Sequence, residues 1–462
     1  MKIKFYGAAR TVTGSKHLIE TENKKILLDC GLFQGRRKDT WHKNKNLPFN
    51  PHEIDAVILS HAHIDHCGAL PILVKNGFKG KIFCTPSTAD IAKVMLFDSA
   101  SIQESDAIYF ARKLFKTALR PIEPLYTKED VLKTENLFQP IPLYKEFEVL
   151  KNVKGKFFNA AHVIGSASLF LEVKENRKTK TLAFTGDLGR KNRSILKNPD
   201  FITKAEVLIT ESTYGGKVHN DNLKNREKLQ EIVNATYKKR GKLIIPSFAL
   251  ERTQEIIFDL NILKEEKKIP KLPVFIDSPL ANKVTEIFQE HAECFDEEAQ
   301  KKFFDKGKNP FEDIVFTKTT QESKFLNTLT IPCIIISASG MCEGGRIRHH
   351  LSNNVTNEKN TILIVGYQAE HTLGRRIVER RPTLKIFDRL YPLKADVEVM
   401  NGFSAHADND DLVEFTARID GLKKVFVVHG ENDRIFKLIK SLRNLHRDFE
   451  IDAPEEGDEV EI

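Results

Sequence analysis

The chain has 462 residues, 40% hydrophobic and 29% charged, which excludes a wholly disordered protein; because single cores seldom exceed about 300 residues, the length predicts two globular units. The formal net charge of +8 permits a polyanionic partner without requiring one. Six scattered cysteines argue against a disulfide scaffold, and no apolar run is long enough for a signal peptide or a membrane span, so we predict a cytoplasmic protein with no membrane association.

The first part of the chain alternates short β-rich segments with turns, and residues 89–135 have a helical, charged pattern. This mixture predicts sheets packed face to face with helices outside them. The predicted strands are Lys2–Tyr6, Lys25–Asp29, Ala56–Ser60, Lys81–Cys84, Gly155–Asn159, Leu169–Val173, Leu182–Thr185 and Val207–Thr210.

From about residue 210 to 390, continuous apolar strands alternate with amphipathic helices. This pattern is typical of a parallel sheet covered on both faces, so we predict a doubly wound α/β unit. Its predicted strands are Lys242–Pro246, Pro273–Asp277, Pro332–Ser337 and Thr361–Val365, and its first helices are Asn222–Lys239, Arg252–Glu266 and Ala281–His291. A strand at Val425–His429 and a helix at Asp433–His446 follow, and the acidic tail from Asp452 is predicted to be a frayed end.

The strongest chemical signal is SHAHIDHCG at residues 60–68, directly after the apolar segment AVIL. His61, His63, Asp65 and His66 offer four metal ligands within six residues. They crowd a single tetrahedral ion, so two ions that share the loop are the natural arrangement. A solvated polar turn is the alternative, and this ligand spacing after a buried strand disfavours it.

Three further candidate ligands lie at turns or strand ends elsewhere in the chain. His162 lies in a turn of small residues, Asp187 follows a strand in FTGDLG, and His429 follows one in VFVVHGEND. Each could instead be an ordinary polar residue at its position. Strand-end residues of this kind can converge on one rim of a sheet, as they do in many α/β active sites.

The motif H-x-H-x-D-H, followed by a turn histidine and a Gly-Asp pair, resembles the metallo-β-lactamase fold. The segments ESTYG, SASGM, FSAHAD and VVHGE make the chain similar to the β-CASP subfamily of nucleic-acid hydrolases, and within it to bacterial and archaeal relatives of the pre-mRNA 3′-end processing nuclease. The resemblance implies an α/β protein with a four-layer αββα fold in residues 1–209 and 393–462. A parallel-sheet β-CASP domain would be inserted at residues 210–392.

The resemblance also implies two Zn²⁺ ions per chain. The first would be bound by His61, His63 and His162, and the second by Asp65, His66 and His429. Asp187 would bridge the two ions. Asp29 of LLDCG matches the first motif of the family and is expected to orient metal ligands.

We predict four catalytic residues: Asp29, Asp65, Glu211 and His406. Glu211 and His406 match the first two β-CASP motifs. The zinc pair would activate water as a hydroxide that attacks phosphorus, while His406, oriented by Glu211, would protonate the leaving ribose 3′-oxygen or clamp the phosphate. A purely structural hydrogen bond at a helix N-terminus is the alternative role for His406.

The predicted RNA contacts are Ser337, Ser339, Gly340, Arg346, His371 and Arg375. The segment SASGMCEGGR offers backbone N–H groups and an arginine to a phosphate, although it could be an ordinary glycine-rich turn. His371 stands where the family is expected to have glycine, and its role stays open. Phe248 and Tyr367 could stack on bases, but an aromatic residue after an apolar strand more often belongs to the core.

We therefore predict a zinc-dependent ribonuclease in RNA processing or decay. Its substrate would be single-stranded RNA, because the family architecture requires the polymer to thread into a cleft. His429 at the third motif favours RNA over DNA. A thioesterase or lactonase would have no comparable insertion, and a non-catalytic processing subunit would not need a full ligand set. The sequence leaves open endonucleolytic or 5′-to-3′ exonucleolytic cleavage, the 5′-end preference, the transcript, RNA-processing partners and a homodimer.

Overall fold

The computed structural model describes residues 1–35, 37–114, 123–219, 222–302, 313–400 and 404–462. The chain divides into two compact units. Unit 1 comprises Met1–Lys191, Asn198–Val218 and His406–Ile462, and unit 2 comprises Asn192–Lys197 and His219–Ala405.

Two seven-stranded sheets form the centre of unit 1. The first has the strand order β22-β1-β2-β3-β4-β5-β6, with β1 (Lys2–Gly7), β2 (Lys16–Glu20), β3 (Lys25–Leu28), β4 (Ala56–Ile58), β5 (Lys81–Cys84), β6 (Phe138–Pro140) and β22 (Glu459–Glu461). The second has the order β21-β20-β11-β10-β9-β8-β7, with β7 (Glu146–Leu150), β8 (Val153–Asn159), β9 (Ala167–Glu175), β10 (Lys178–Phe184), β11 (Val207–Thr210), β20 (Lys424–Val427) and β21 (Glu450–Asp452).

The two sheets pack face to face through apolar residues that alternate along their strands. Phe5 and Ile19 of the first sheet share one buried cluster with Phe157 and Phe426 of the second, and the Phe5 and Phe426 rings are 5.0 Å apart. The helices of unit 1 are α1 (Arg37–Lys45), α2 (Ile64–Cys67), α3 (Leu70–Lys75), α4 (Pro86–Leu114), α5 (Lys128–Glu135), α13 (Asn409–Ala417) and α14 (Asn432–Arg443).

Helices cover the outer faces of this sandwich. The apolar sides of α13 and α14 share a buried cluster with Leu208 and Val425 of the second sheet. On the side of the first sheet, α5 packs against α3 and α4, and α4 contacts β6. The predicted four-layer αββα fold is therefore confirmed.

The prediction of a frayed acidic tail is wrong. β22 pairs antiparallel with β1, with Lys2 opposite Glu461 and Lys4 opposite Glu459. The Glu459 carboxylate forms ion pairs with the Nζ atoms of Lys2, at 2.7 Å, and Lys4, at 3.1 Å. The acidic composition of the tail thus complements the basic residues of the strand beside it.

Unit 2 contains a six-stranded sheet in which every pairing is parallel, as predicted. Its order is β14-β13-β15-β12-β16-β19, with β12 (Leu243–Pro246), β13 (Val274–Ile276), β14 (Ile314–Phe316), β15 (Ile334–Ser337), β16 (Thr361–Ile364) and β19 (Asp396–Val399). The central strands β12, β15 and β16 are buried at every residue, because this sheet is covered on both faces.

The other elements of unit 2 are a two-stranded hairpin and seven helices within the described residues. The hairpin is β17 (Thr383–Ile386) with β18 (Arg389–Pro392), and the helices are α6 (Asn222–Lys238), α7 (Arg252–Glu265), α8 (Pro279–Glu290), α9 (Glu297–Gln300), α10 (Thr320–Thr328), α11 (Ile347–Asn354) and α12 (Leu373–Val378). In the part of the chain that the structure describes, no helix combines the length and apolar character needed to cross a membrane. Five buried cysteines are free thiols, namely Cys30, Cys67, Cys84, Cys333 and Cys342.

The division between the units falls later than the sequence prediction placed it, after Val218 and Ala405 rather than after residues 209 and 392. The first difference arises because the ESTYG turn that follows β11 stays with unit 1. The second arises because β19 pairs with β16 and so completes the parallel sheet of unit 2.

Candidate metal centre

Three neighbouring parallel strands of the second sheet end at the same edge, and each is followed by a candidate site residue. β10 pairs with β11, and β11 pairs with β20. Asp187, Glu211 and His429 follow these strands in turn. β4 of the first sheet ends just before His61, so the edge of each sheet contributes to one site in unit 1.

Two glycines let the loops of the site approach one another closely. A Cβ atom on Gly31, two residues after Asp29, would lie 1.6 Å from the backbone oxygen of Asp65. A Cβ atom on Gly189, two residues after Asp187, would lie 2.0 Å from the backbone oxygen of Ala161. The glycines of LLDCG and GDLG therefore allow backbone contacts that any side chain would prevent.

The first cluster consists of His61, His63, His162 and Asp187. His63 Nδ1 lies 3.1 Å from His61 Nε2 and 3.2 Å from His162 Nε2. Asp187 Oδ2 lies 3.6 Å from both Nε2 atoms. Ligands held at about 2.0–2.1 Å from a tetrahedral zinc lie about 3.3 Å apart, so this donor set fits one zinc ion.

The second cluster consists of Asp65, His66 and His429. The Nε2 atoms of His66 and His429 are 3.1 Å apart, and Asp65 Oδ2 is 3.7 Å from His429 Nε2. Asp187 Oδ1 lies 3.4 Å from His66 Nε2. Asp187 thus turns one carboxylate oxygen toward each cluster, which is the arrangement a bridging ligand requires.

Burial favours the neutral, metal-binding form of the three imidazoles of the first cluster. It lowers the pKa of His61 and His162 well below the usual value and that of His63 to about 4, so the three rings are neutral at pH 7. Burial opposes the charge of Asp187, but the imidazoles of His429 and His66 hold its pKa well below the usual range. Asp187 Oδ1 is buried and accepts no hydrogen bond from the residues that the structure describes, a position that a cation would satisfy.

Asp29 lies behind the metal ligands, where it contacts His66 rather than the cluster centre. Its Oδ2 accepts a hydrogen bond from His66 Nδ1 at 2.7 Å, which leaves His66 Nε2 directed at His429. The backbone N–H of Ser60 donates to Asp29 Oδ1 at 2.8 Å. This contact orients the imidazole of a candidate metal ligand, which agrees with the role that the resemblance implied for Asp29.

Sequence reasoning overlooked Ser60 and Thr213. The Ser60 hydroxyl lies 2.9 Å from Asp29 Oδ2 and 3.0 Å from His61 Nδ1, so it contacts a residue of the first cluster and the carboxylate that orients His66. The Thr213 hydroxyl lies 3.2 Å from His429 Nδ1. The position of Ser60 immediately before the histidine motif and that of Thr213 inside ESTYG were the available signals.

Glu211 and His406 form a pair at the edge of the metal centre. His406 Nδ1 lies 3.1 and 3.0 Å from the two carboxylate oxygens of Glu211. The Glu211 side chain is fully buried, whereas that of His406 is 20% exposed. Burial by itself would lower the pKa of His406, but Glu211 raises it to about 9.

The predicted RNA contacts all belong to unit 2, and two of them contact Asp277. The hydroxyl of Ser337, which is buried, donates to the backbone oxygen of Asp277 at 2.7 Å, so this side chain meets the protein and not solvent. Arg346 forms an ion pair with the Asp277 carboxylate at 2.6 Å and is partly exposed. Ser339 is partly exposed beside Gly344, and Gly340 is buried.

His371 and Arg375 lie on the surface, around a polar cavity of about 320 Å³. The backbone of His371 has a φ of 69°, a left-handed conformation that glycine adopts without strain. This explains why glycine is expected at the position. Arg375 Nε donates to Glu379 at 2.8 Å.

Comparison with known proteins agrees with this architecture. Residues 14–215 match the metallo-beta-lactamase superfamily, residues 253–377 the Beta-Casp domain, and residues 390–454 a Zn-dependent metallo-hydrolase RNA specificity domain. The chain is 34% identical to ribonuclease TTHA0252 of Thermus thermophilus over 96% of each chain. It is 33% identical to the RNase J-like protein of Methanocaldococcus jannaschii over 93% of this chain and 92% of the relative.

A solved structure also has the same fold. The crystal structure of a protein of unknown function from Enterococcus faecalis V583 superposes with a TM-score of 0.57 at 13% identity, covering 99% of both chains. Together with the relatives, the fold and the ligand clusters, these matches confirm the family resemblance. The chain belongs to the β-CASP family of the metallo-β-lactamase superfamily and is a metal-dependent hydrolase.

Proposed function

We propose that the chain is a ribonuclease that hydrolyses phosphodiester bonds of single-stranded RNA with two zinc ions. The proposal depends on one observation above all: two buried ligand clusters meet at Asp187, which turns one oxygen to each. The RNA specificity domain match and the relatives named ribonuclease and RNase J-like protein support RNA as the polymer. The ligand residues come from distant parts of the sequence and lie close together in unit 1.

When bound, the zinc pair would supply Lewis acidity that activates water near neutral pH and stabilises charge on phosphate oxygens. The chain's own residues arrange this chemistry. His61, His63 and His162 would hold one ion, and Asp65, His66 and His429 the other. Asp187 would set the spacing of the two ions, and Asp29 would hold the ring of His66 in its binding orientation.

His406 is our candidate for the proton donor to the leaving ribose 3′-oxygen. Nδ1 is bound to Glu211, so Nε2 lies on the opposite side of a ring that is partly exposed. Glu211 is buried and acts through His406, so we regard it as a positioning residue. This arrangement follows the general pattern of a catalytic imidazole oriented by a carboxylate.

Four predicted RNA contacts keep that proposed role: Ser339, Gly340, His371 and Arg375. Ser337 and Arg346 are better explained as structural partners of Asp277, the first through a hydrogen bond and the second through an ion pair. The cytoplasm stays the proposed compartment, because the cysteines are scattered without the paired spacing of a disulfide scaffold. A homodimer stays a prediction of the family resemblance.

Protein purified without chelators should contain two equivalents of zinc by elemental analysis. It should cleave single-stranded RNA with labelled 5′ ends and leave duplex RNA and single-stranded DNA largely intact. Mononucleotide release would indicate exonucleolytic action, and internal fragments endonucleolytic action. Absence of any transition metal, together with no nuclease activity after addition of zinc or manganese, would refute the proposal. Hydrolysis of thioesters but not RNA would instead identify a small-molecule hydrolase.

Replacing the bridging carboxylate is the sharpest genetic test. Asp187→Ala should lower RNA cleavage at least about 100-fold, because the charge that joins the two clusters is lost. The matched control is Asp433→Ala, which removes an exposed carboxylate of unit 1 outside the site and should keep full activity. Circular dichroism should show both variants folded, and a fully active Asp187→Ala protein would overturn the ligand assignment.

A further inference from the structure

Two aromatic side chains remain exposed at the carboxyl edge of the parallel sheet in unit 2. Phe248 follows β12 and Tyr367 follows β16, and these strands pair in parallel, so their carboxyl ends lie at the same edge. The exposed fraction is 45% for Phe248 and 63% for Tyr367. Rings with this much surface in water are not explained by core packing, which was the alternative expected from the sequence.

Gly340, in the loop after β15, connects the two aromatic positions. β15 also pairs with β12, so this loop emerges at the same edge. A Cβ atom on Gly340 would lie 2.8 Å from the Phe248 ring, so only glycine lets the ring lie against the backbone here. Gln368, the neighbour of Tyr367, is buried and donates from Nε2 to the backbone oxygen of Gly340 at 3.1 Å. Both aromatic loops therefore contact the same glycine.

Hydrogen bonds hold the backbone around these rings in place. The Thr253 hydroxyl donates to the backbone oxygen of Phe248 at 2.7 Å. Gln368 Nε2 also donates to the backbone oxygen of Gly366 at 3.2 Å, and the Gly374 N–H donates to the backbone oxygen of Met341 at 3.2 Å. A surface ordered in this way loses little conformational entropy when a ligand binds.

The chemistry of the surroundings fits a nucleic-acid strand. The loop that carries Tyr367 leads into α12, where Arg375 and Arg376 line the polar cavity with Arg381. Glu379 accepts hydrogen bonds from Arg375 at 2.8 Å and Arg381 at 2.9 Å, which fixes the direction of both guanidinium groups. Exposed aromatic faces next to oriented cations are the combination that single-stranded nucleic acids recognise, through their bases and their phosphates.

We propose that Phe248 and Tyr367 form a stacking platform for the unpaired bases of the RNA strand. The inference rests on the proposed ribonuclease function, which supplies RNA as the ligand, but it concerns binding in unit 2 and not the metal centre. Each ring would stack on a base irrespective of its identity, because every base has an aromatic face. A duplex would not fit this platform, since its bases already stack on one another.

The test measures binding of the full-length Asp187→Ala protein, which is not expected to cleave RNA, to two fluorescent oligonucleotides of equal length. One is single-stranded RNA, and the other is the same ribose-phosphate chain without bases. Phe248→Ala and Tyr367→Ala should each weaken RNA binding about tenfold and change binding of the abasic chain less than about twofold. Tyr367→Phe should keep the native affinity, because it keeps the ring.

The matched control is Phe325→Ala, which removes another aromatic side chain of unit 2 that is 61% exposed, and it should bind both oligonucleotides like the parent. If Phe248→Ala proves unstable by thermal unfolding, the exposed Tyr367 variants alone decide the result. Unchanged RNA affinity in the folded Tyr367→Ala protein would overturn the platform, as would an equal loss for both oligonucleotides. If the native protein cleaves no RNA but RNA binding still depends on the two rings, the proposed function is refuted and the stacking platform is supported.

Discussion

Ser60 illustrates how single residues of the metal centre depend on neighbours that bind no metal. It donates a backbone hydrogen bond to Asp29, and its hydroxyl lies between Asp29 and His61. Ser15 also approaches Asp29, but at 3.4 Å, the long limit of a hydrogen bond. The two serines contact the same carboxylate and therefore form a natural pair for comparison.

Ser60→Ala should weaken zinc binding about 10- to 100-fold, because the hydroxyl that orients Asp29 and His61 is lost. Ser15→Ala should have a much smaller effect, since its bond to Asp29 is long and it has no contact to His61 among the hydrogen bonds of the described residues. Competition with a zinc chelator measures both affinities. Equal zinc affinities for the two variants would show that Ser60 has no special role in orienting the ligands.

His371 is a residue-scale departure from the expected glycine, and its conformation makes the departure testable. At a φ of 69° a side chain strains the backbone, so His371→Gly should be about 1 kcal/mol more stable than His371→Ala. The comparison of two truncations cancels the loss of the imidazole. At the exposed helical position His349, the same pair should show the opposite order, with alanine more stable by about 1 kcal/mol. Denaturant midpoints decide the question, and the same order at both sites would contradict the argument.

At the scale of elements, the Asp277 side chain connects several helices and strands of unit 2 through hydrogen bonds. It follows β13, is fully buried, and accepts hydrogen bonds from Ser323 of α10 at 2.5 Å and from His350 of α11 at 2.6 Å. Thr317, after β14, and Arg346, at the start of α11, complete its partners. Burial by itself would raise the pKa of Asp277, but these donors hold it well below the usual range.

This network makes the stability of unit 2 depend on pH in the acid range. Because the pKa of Asp277 is lower in the folded state, the unfolded state binds the proton first, so the stabilisation is complete above pH about 4 and is lost as the pH falls below that value. Asp277→Asn should cost about 3 kcal/mol at pH 7 and flatten the decline of stability between pH 4 and 2. Denaturant midpoints against pH measure this, and the exposed control Asp388→Asn should follow the native curve. A native slope in Asp277→Asn would refute the argument.

At the scale of the whole molecule, the metal ligands and the parallel sheet belong to different compact units. Every proposed zinc ligand lies in unit 1, whereas the stacking residues lie in unit 2. Ligand binding stabilises the part of a protein that must be folded to form the site. Metal removal should therefore affect the two units unequally.

Chelation should increase amide hydrogen exchange about 100-fold or more at the strand ends of the metal centre, in the residues after β4, β10 and β20. The buried strands β12, β15 and β16 of unit 2 should keep their protection. Exchange measured by mass spectrometry before and after chelation, and again after zinc is restored, provides the check. An increase of similar size in both units would mean that the metal stabilises the chain as a whole.

Local sequence determined the parts of this protein whose signals lie within a few residues. The apolar strand before His61 and the ligand spacing from His61 to His66 depend on neighbours in the chain, and so do the alternating strands and helices of unit 2. The motifs that resemble the family extended this prediction to His162, Asp187 and His429. In the structure, His162, Asp187 and His429 lie in the same two clusters as the ligand candidates from His61 to His66.

Only the tertiary structure decided which groups meet across long separations. The contact of Asp187 with both clusters, the burial of Ser337 against Asp277, and the pairing of β22 with β1 all join residues that are far apart in sequence. The acidic composition suggested a frayed tail, and the glycine-rich segment SASGMCEGGR after a strand suggested that Ser337 contacts RNA. Both expectations assume that polar residues are solvated. Packing overrode that rule, since a buried polar group is stable once its hydrogen-bond partners surround it, and the chain supplies them only when it is folded.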